Sequence, residues 1–360
     1  MDTARNDTLL RFSLGMLSVV VIFFVLIQLQ SILIPFVFAM LLTLLTYPLI
    51  ERLVGWKVPK SIAIMSVLIL LIGVLFLIYI LVATSSRGFS EGWGIYSARL
   101  ASIIGQILSL FGYTTDEILN LIDSEAKGLN LTAVFDAFFS SGIIAGLLGG
   151  ITNFLGNVFI ILLFWLFMSG GRDAFEKKLD RIFEGREGRI MTSYARINKQ
   201  VQSYIFIKTI ISLITGIFTW LIVLLTGGDF AILWGILAFL LNFIPNIGSL
   251  IATAFPVLFL FLKFGINFNF IAGSILLIIN QNIMGNYIEP IYLGRHLNLS
   301  TVFVLLSLLF WGWVWGLSGM FLAVPFAAIC IIIFENIDPL KPLALLLGGS
   351  IEEPKNESEN

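Results

Sequence analysis

AILWGILAFLLNFIPNIGSLIATAFPVLFLFL, residues 231–262, is apolar almost throughout, yet too long for one ordinary membrane crossing. A spanning helix needs about 20 mostly apolar residues. This run is broken near its middle by Pro245-Asn246-Ile247-Gly248. Proline supplies no backbone N–H and clashes with the preceding helical turn. The stretch therefore reads as two helical arms joined at a turn, a broken hairpin. Residues 299–335 repeat the pattern, with their break around Gly316-Leu317-Ser318-Gly319.

Outward from these hairpins lie apolar segments at 10–29, 31–50, 61–83, 143–168, 202–226 and 269–289. Of the 360 residues, 58% are hydrophobic and 12% charged, with 33 Phe and 8 Trp. Mean hydropathy is +1.01. A soluble domain, at about 25% charged residues, could not hide so much apolar surface. The expected fold is an all-α polytopic membrane protein of about eight transmembrane segments, two of them broken, re-entrant-like hairpins. The first segment, Phe12–Leu29, exceeds a signal peptide's 7–15-residue apolar region, and no A-x-A site follows. It is expected to be a retained helix.

The expected organisation runs as follows. Residues 1–83 hold the first three helices, and 84–142 form an extracytoplasmic insert. Its Leu100, Ile103, Ile104, Ile107 and Leu108 make an apolar stripe, with Thr114 and Glu117 as a capping box. Short helices lying on the bilayer, or covering a neighbouring subunit, would satisfy that pattern. Residues 143–169 are the fourth helix and 170–200 a charged helical cytoplasmic loop. Residues 201–337 form the core with its hairpins, and 338–360 a cytoplasmic tail whose last ten residues are polar.

Orientation follows from charge. With the N-terminus inside, sixteen of the 21 Lys and Arg face the cytoplasm. Only Arg87, Arg99, Lys127 and Lys263 fall outside, and Lys208 lies within a helix. Both termini are then cytoplasmic, and the two hairpins enter from opposite faces. Each follows a spanning helix, at 202–226 and 269–289. Aligning Pro256 with Pro325 also pairs Ser249 with Ser318 and Ala254 with Ala323. Inverted repeats with broken helices point to a transporter's binding site.

Several chemistries are excluded by count. A net charge of −1 gives nucleic acid no electrostatic footprint. One cysteine, Cys330, allows no intramolecular disulfide and no thiolate cluster, and its apolar run reads as a buried, inert thiol. One histidine, His296, rules out HExxH and other multi-histidine metal sites. No cofactor, no resident metal and no enzymatic activity are expected. The sequons at Asn130 and Asn298 read as chance matches.

Polar residues inside the membrane are expensive and mark function by default. Asn242 and Asn246 accompany the first break, either as local caps of a kinked helix or at a hairpin tip touching solute. On the 202–226 helix, Tyr204, Lys208, Ser212, Thr215 and Thr219 share one face. Lys208 could snorkel to headgroups, or the stripe could line an inward polar pathway. On the 269–289 helix, Asn282, Asn286 and Glu289 form a second stripe, with Ser274 placed on the same side. Glu289 is either an interfacial partner of Arg295 or a titratable, cation-binding carboxylate on the pathway.

Four stretches resemble those of the autoinducer-2 exporter family: IPFVFAMLLTLLTYPLIERL (34–53), LNFIPNIGSLIA (241–252), GNYIEPIYLGRHLNLS (285–300) and LSGMFLAVPFAA (317–328). The Asn286-x-x-Glu289-Pro290 and Gly294-Arg295 pairing is the most specific part. Asn246 departs from the aromatic that members often carry there. The resemblance implies a bacterial inner-membrane protein of about eight segments. Some members are described as exporters of the quorum-sensing furanone autoinducer-2, others as cation/proton antiporters.

The leading expectation is thus a secondary exporter of a small polar solute. No Walker A motif is present, so a gradient must supply the energy. Monovalent cation/proton antiport through Glu289 is the alternative, and a non-transporting scaffold is a third reading from another class. The lipid bilayer and a small molecule or ion are the expected partners, and a homo-oligomer is left open.

Overall fold

A computed structural model of the chain describes residues 2–111, 156–183, 189–293 and 299–349. The expected helices of 112–142, the start of the fourth segment, Arg295, His296, Asn130, Asn298 and the final tail lie outside these residues. Among the described residues all secondary structure is helical, apart from one isolated antiparallel bridge between Leu299 and Gly348.

The helices are α1 (Asp2–Gln28), α2 (Gln30–Gly55), α3 (Lys60–Leu110), α4 (Val158–Phe183), α5 (Arg189–Leu225), α6 (Ala231–Leu241), α7 (Ile247–Phe264) and α8 (Phe268–Asn282). A π-helical turn, Ile283–Ile288, leads into α9 (Glu289–Leu293). Then come α10 (Thr301–Asn336), a 3₁₀ turn at Asp338–Leu340 and α11 (Lys341–Leu347). Seven helices among the described residues are long and apolar enough to cross a membrane. Leu17, Ile69, Phe76 and Phe167 are among many large apolar side chains left exposed. Acyl chains are the solvent such surfaces require. The chain is an all-α polytopic membrane protein.

The chain divides into two compact units. One comprises Met1–Met65, Val158–Gln202 and Asn298–Asn360. Its core includes Ala39, Leu44 and Ile50 of α2 and Trp165 of α4, whose indole N–H donates to Thr46 Oγ1 at 2.9 Å. Pro48 inside α2 cannot donate to the Leu44 carbonyl four residues back. Gln202 Nε2 takes that acceptor at 2.9 Å. A freed carbonyl in hydrocarbon would otherwise cost several kcal/mol. Trp315 Nε1 similarly donates to the Leu26 carbonyl in the last turn of α1, at 3.0 Å.

In the same unit α10 folds back on itself. Trp315 and Gly316 leave helical geometry, with Gly316 at φ 59° and ψ −139°. Ser307 Oγ donates to the Ala323 carbonyl at 2.7 Å. In a continuous helix those residues would stand about 24 Å apart. A Cβ on Gly319 would overlap the Trp311 carbonyl, so the arms cross in near backbone contact. The second expected hairpin is present, with its break at Gly316.

The other unit comprises Ser66–Asn157 and Ser203–Leu297. Here α6 and α7 form the first hairpin. Trp234 and Phe259 would be about 37 Å apart along one helix, yet their ring centroids lie 5.1 Å apart. At 11 residues α6 is about 16 Å long, too short for a hydrocarbon core of about 30 Å. It meets α5 where both lack side chains: a Cβ on Gly216 would sit 2.6 Å from the Gly235 carbonyl oxygen. Small residues allow such close approach.

Two boundaries differ from expectation. The third helix does not stop at residue 83 but runs to Leu110 as one 51-residue helix. Contacts from Tyr96 and Arg99 to the base of the first hairpin anchor the extension. Polar and glycine residues follow Thr84, but no proline ends the helix there. Residues 143–155 lie outside the described residues, and α4 likewise does not stop at residue 169 but continues through Gly170 and Gly171 to Phe183. There Arg172 lies 3.6 Å above the Tyr47 ring and pairs with Glu176 at 2.9 Å.

Candidate functional site

The polar stripe on α5 is buried. Lys208 is 2% exposed, Ser212 and Thr215 are 0%, and Thr219 and Tyr204 are nearly as enclosed. The hydroxyls of Ser212, Thr215 and Thr219 each have a hydrogen-bond partner. Asn242, at the end of α6, donates its amide to Ser212 Oγ at 3.0 Å. Asn280 of α8 donates to Thr219 Oγ1 at 3.3 Å and to the Thr215 carbonyl at 3.4 Å. Thr215 Oγ1 bonds back to the Ile211 carbonyl. These bonds fix α6 and α8 against α5.

At the head of the stripe the Lys208 ammonium donates to Glu289 Oε1. Lys208 is enclosed by protein and turned to a carboxylate, so it does not snorkel. Burying a charge is costly unless a partner and further hydrogen bonds compensate it. Glu289 stands where the π-helical turn ends and Pro290 follows. π-helical turns are rare and concentrate at functional sites.

The hairpin tip is strained. Asn246 adopts φ 58° and ψ −56°, and Ile247 N donates to the Pro245 carbonyl at 2.6 Å. This is a γ-turn of the positive-φ kind, rare for a residue with a Cβ. It reverses the chain tightly enough that a Cβ on Gly248 would overlap the Leu241 carbonyl.

Between this tip, α5 and α8 lies a cavity of about 330 Å³. Its lining includes Lys208, Asn242, Pro245, Asn246, Ser249, Thr253, Gln281, Asn282, Asn286 and Glu289, with Ile244, Leu250 and Ile278. Asn286 Nδ2 donates to Asn282 Oδ1 at 2.9 Å, and Asn282 Nδ2 to the Ile278 carbonyl at 2.8 Å. The arrangement offers carboxamides, hydroxyls and one ion pair within apolar walls. Such groups can hydrogen-bond a small polar solute. Among the described residues no group of acidic, His or Cys side chains could hold a metal ion.

The description AI-2E family transporter matches residues 16–338. The chain belongs to the AI-2E family of transporters. It is 31% identical to the AI-2 transport protein TqsA of Escherichia coli strain K12 over 327 residues, covering 90% of this chain and 91% of that one. A putative transport protein of Haemophilus influenzae is 30% identical over 350 residues, covering 96% and 98%. Putative transport protein YhhT of Escherichia coli strain K12 is 41% identical over 153 residues, covering 42% and 44%.

In this AI-2E transporter the cavity gathers seven of the residues singled out in the sequence: Lys208, Asn242, Pro245, Asn246, Asn282, Asn286 and Glu289. Ser212 and Thr215 lie behind them, and Gly248 shapes the tip without lining the cavity. Ser318 sits beside the turn of the second hairpin, in the other unit. Ser274 is not on the side of Asn282: it is buried with Leu277 and Asn280, while Asn282 and Asn286 are exposed. Those positions lie about 80° apart around an α-helix, at about 100° per residue. Sequence reasoning missed Ser249, Thr253, Asn280 and Gln281. Asn246, Ser249 and Thr253 recur at i, i+3 and i+7, which is a readable helical face.

A second polar cluster closes the far end of the first hairpin. Asp229 accepts from the Tyr96 hydroxyl and, at 2.5 Å, from Lys263 Nζ. Arg99 donates to the Leu262 and Lys263 carbonyls. Burial raises the Asp229 carboxyl's pKa, but Lys263 and the Tyr96 hydroxyl outweigh it and hold it below the usual value. Burial, then the adjacent Asp229, pushes the Tyr96 phenol up.

Proposed function

We propose that this transporter exports a small polar solute by a secondary mechanism, with autoinducer-2 as the solute, through the cavity at the first hairpin. The observation that carries the reading is the Lys208–Glu289 pair at the wall of that cavity. A charge pair so enclosed often stabilises a fold no more than an apolar pair of equal volume, which favours a functional reason for it. Beside it stand carboxamides and hydroxyls, the groups that bind a hydroxylated, uncharged molecule. The relative named AI-2 transport protein supplies the choice of solute. A scaffold would have no use for such a cavity.

The same reading places the chain in the bacterial cytoplasmic membrane, with both termini in the cytoplasm. Asp229 and Lys263 then face outward, and Glu289 lies near the inner end of its helix. Glu289, released from Lys208 by a proton, is the element that couples solute movement to a gradient.

The test is reconstitution into liposomes loaded with autoinducer-2 and a pH-sensitive dye. Efflux that depends on the protein and on a pH gradient supports the reading. A dye response to Na⁺ or K⁺ without autoinducer-2 efflux would replace it with cation/proton antiport.

A further inference from the structure

Most polar side chains of the cavity spend a donor within the protein. Asn242 donates to Ser212, Asn282 to the Ile278 carbonyl, Asn286 to Asn282, Ser249 to the Asn246 carbonyl and Lys208 to Glu289. Gln281 differs. Its side chain lines the same cavity, while its Nε2 is buried and meets no acceptor among the described residues. Buried donors are almost always satisfied, and leaving one unmade carries the full desolvation penalty.

Gln281 stands at the end of α8, one turn before Gly285 in the π-helical turn. A Cβ on Gly285 would lie 3.7 Å from Gln281 Nε2, in ordinary contact. Gly285 lines the same cavity and carries no side chain to hinder a turn of the Gln281 carboxamide towards it.

We propose that the Gln281 carboxamide turns to the cavity and that its N–H is the donor that takes an oxygen of the transported solute, making Gln281 a specificity-determining residue. This rests on the reading of the cavity as the solute's path. A hydroxyl or carbonyl oxygen at the matching position completes the hydrogen bond. A solute with a C–H group there leaves the amide unpaired and is rejected. A site built around a buried donor discriminates in this way more strongly than an apolar pocket does.

The experiment measures autoinducer-2 efflux from proteoliposomes against internal concentration. Gln281→Leu is expected to raise the half-saturation concentration about tenfold or more, with the maximal rate within about twofold. Gln281→Glu keeps the shape and turns the donor into a titratable group. At about pH 8 its carboxylate offers only acceptors, and half-saturation is expected to be weak. Towards about pH 5 the carboxyl regains an O–H donor, and half-saturation should return towards the wild-type value. Lys208 and Glu289 also face the cavity, so each pH is compared with wild type at that pH.

Recovery within one folded variant separates donation from a purely structural role. Gln281→Leu saturating like wild type, or Gln281→Glu without recovery at low pH, overturns the proposal. Asn246→Ala and Thr253→Val distinguish the two levels. If they shift half-saturation while Gln281→Leu does not, the cavity reading stands and the Gln281 assignment falls. If none of the three shifts it, both fall.

Discussion

Lys208 and Glu289, 81 residues apart in sequence, form an ion pair whose two members are unequally enclosed. The lysine side chain is 2% exposed and the glutamate 25%. Both line the cavity, and the carboxylate is the more accessible of the two. Loading Glu289 with a proton would leave Lys208 a buried cation with no opposite charge, a state that favours movement or release.

That inequality predicts an order of stabilities. Glu289→Gln strands a buried ammonium and should cost about 3 kcal/mol, the lower end of the range for breaking a buried pair. Lys208→Met together with Glu289→Gln removes both charges and should recover much of the loss. Thermal unfolding in lipid nanodiscs checks this: the double variant should melt above Glu289→Gln. Efflux by Glu289→Gln should also lose its pH dependence, and an unshifted profile at normal rate would reduce Glu289 to a structural partner.

The strained tip at Asn246 predicts a trade between stability and transport. Asn246→Gly removes the Cβ that disfavours positive φ and should stabilise the protein by up to about 1 kcal/mol. It also removes a carboxamide from the cavity wall, so efflux should fall. Gly248→Ala should act oppositely on the fold, forcing the arms apart at the Leu241 carbonyl at a cost of about 1–3 kcal/mol. Melting and efflux measured on the same preparations separate the two effects.

The hairpins were legible because their causes are local. Pro245 and Gly316 stand near the middle of apolar runs too long for one span, and the apolar length on either side demands a fold-back. The stripe from Tyr204 to Thr219 was legible because a 3.6-residue period needs no partner to be seen. The Lys208–Glu289 contact was not, since no local pattern reports which helix lies opposite. Gln281 and Asn280 escaped for a related reason. Adjacent polar residues on α8 face different neighbours, and only packing against α5 tells the Thr219-facing amide from the cavity-facing one. The length of α3 was hidden because its extension is held by Asp229 and the carbonyls near Lys263, far along the chain.

Pro48 and Gln202 give a prediction in the other unit. Gln202→Leu leaves the Leu44 carbonyl unpaired, at a cost of about 1–3 kcal/mol. In a Pro48→Ala background the helix supplies its own donor to that carbonyl, and the same substitution should cost markedly less. A double-mutant cycle by thermal unfolding measures the difference. Equal costs in both backgrounds would show that Gln202 acts by packing alone.

The Asp229 cluster predicts an acid-side dependence. A carboxyl whose folded pKa lies below its unfolded value stabilises the fold above the unfolded pKa. That stabilisation is lost as pH falls through the folded value. Unfolding of the wild type should therefore ease below about pH 4, and Asp229→Asn should flatten that limb. The group is partly exposed, so the effect should stay below about 1 kcal/mol. Tyr96 has the opposite sign: its contribution is full below the ordinary phenol pKa and is lost only in strong alkali.

The central claim is that solute passes through the cavity at the first hairpin, and blocking that cavity tests it most directly. In a Cys330→Ser background, Thr253→Cys places one thiol on the cavity wall. Autoinducer-2 efflux from proteoliposomes is measured before and after a bulky thiol reagent, with the extent of modification read by mass. Efflux should stay well above the protein-free rate in the unmodified variant and fall to that rate once Thr253→Cys is fully modified. Full efflux from completely modified protein would contradict the account.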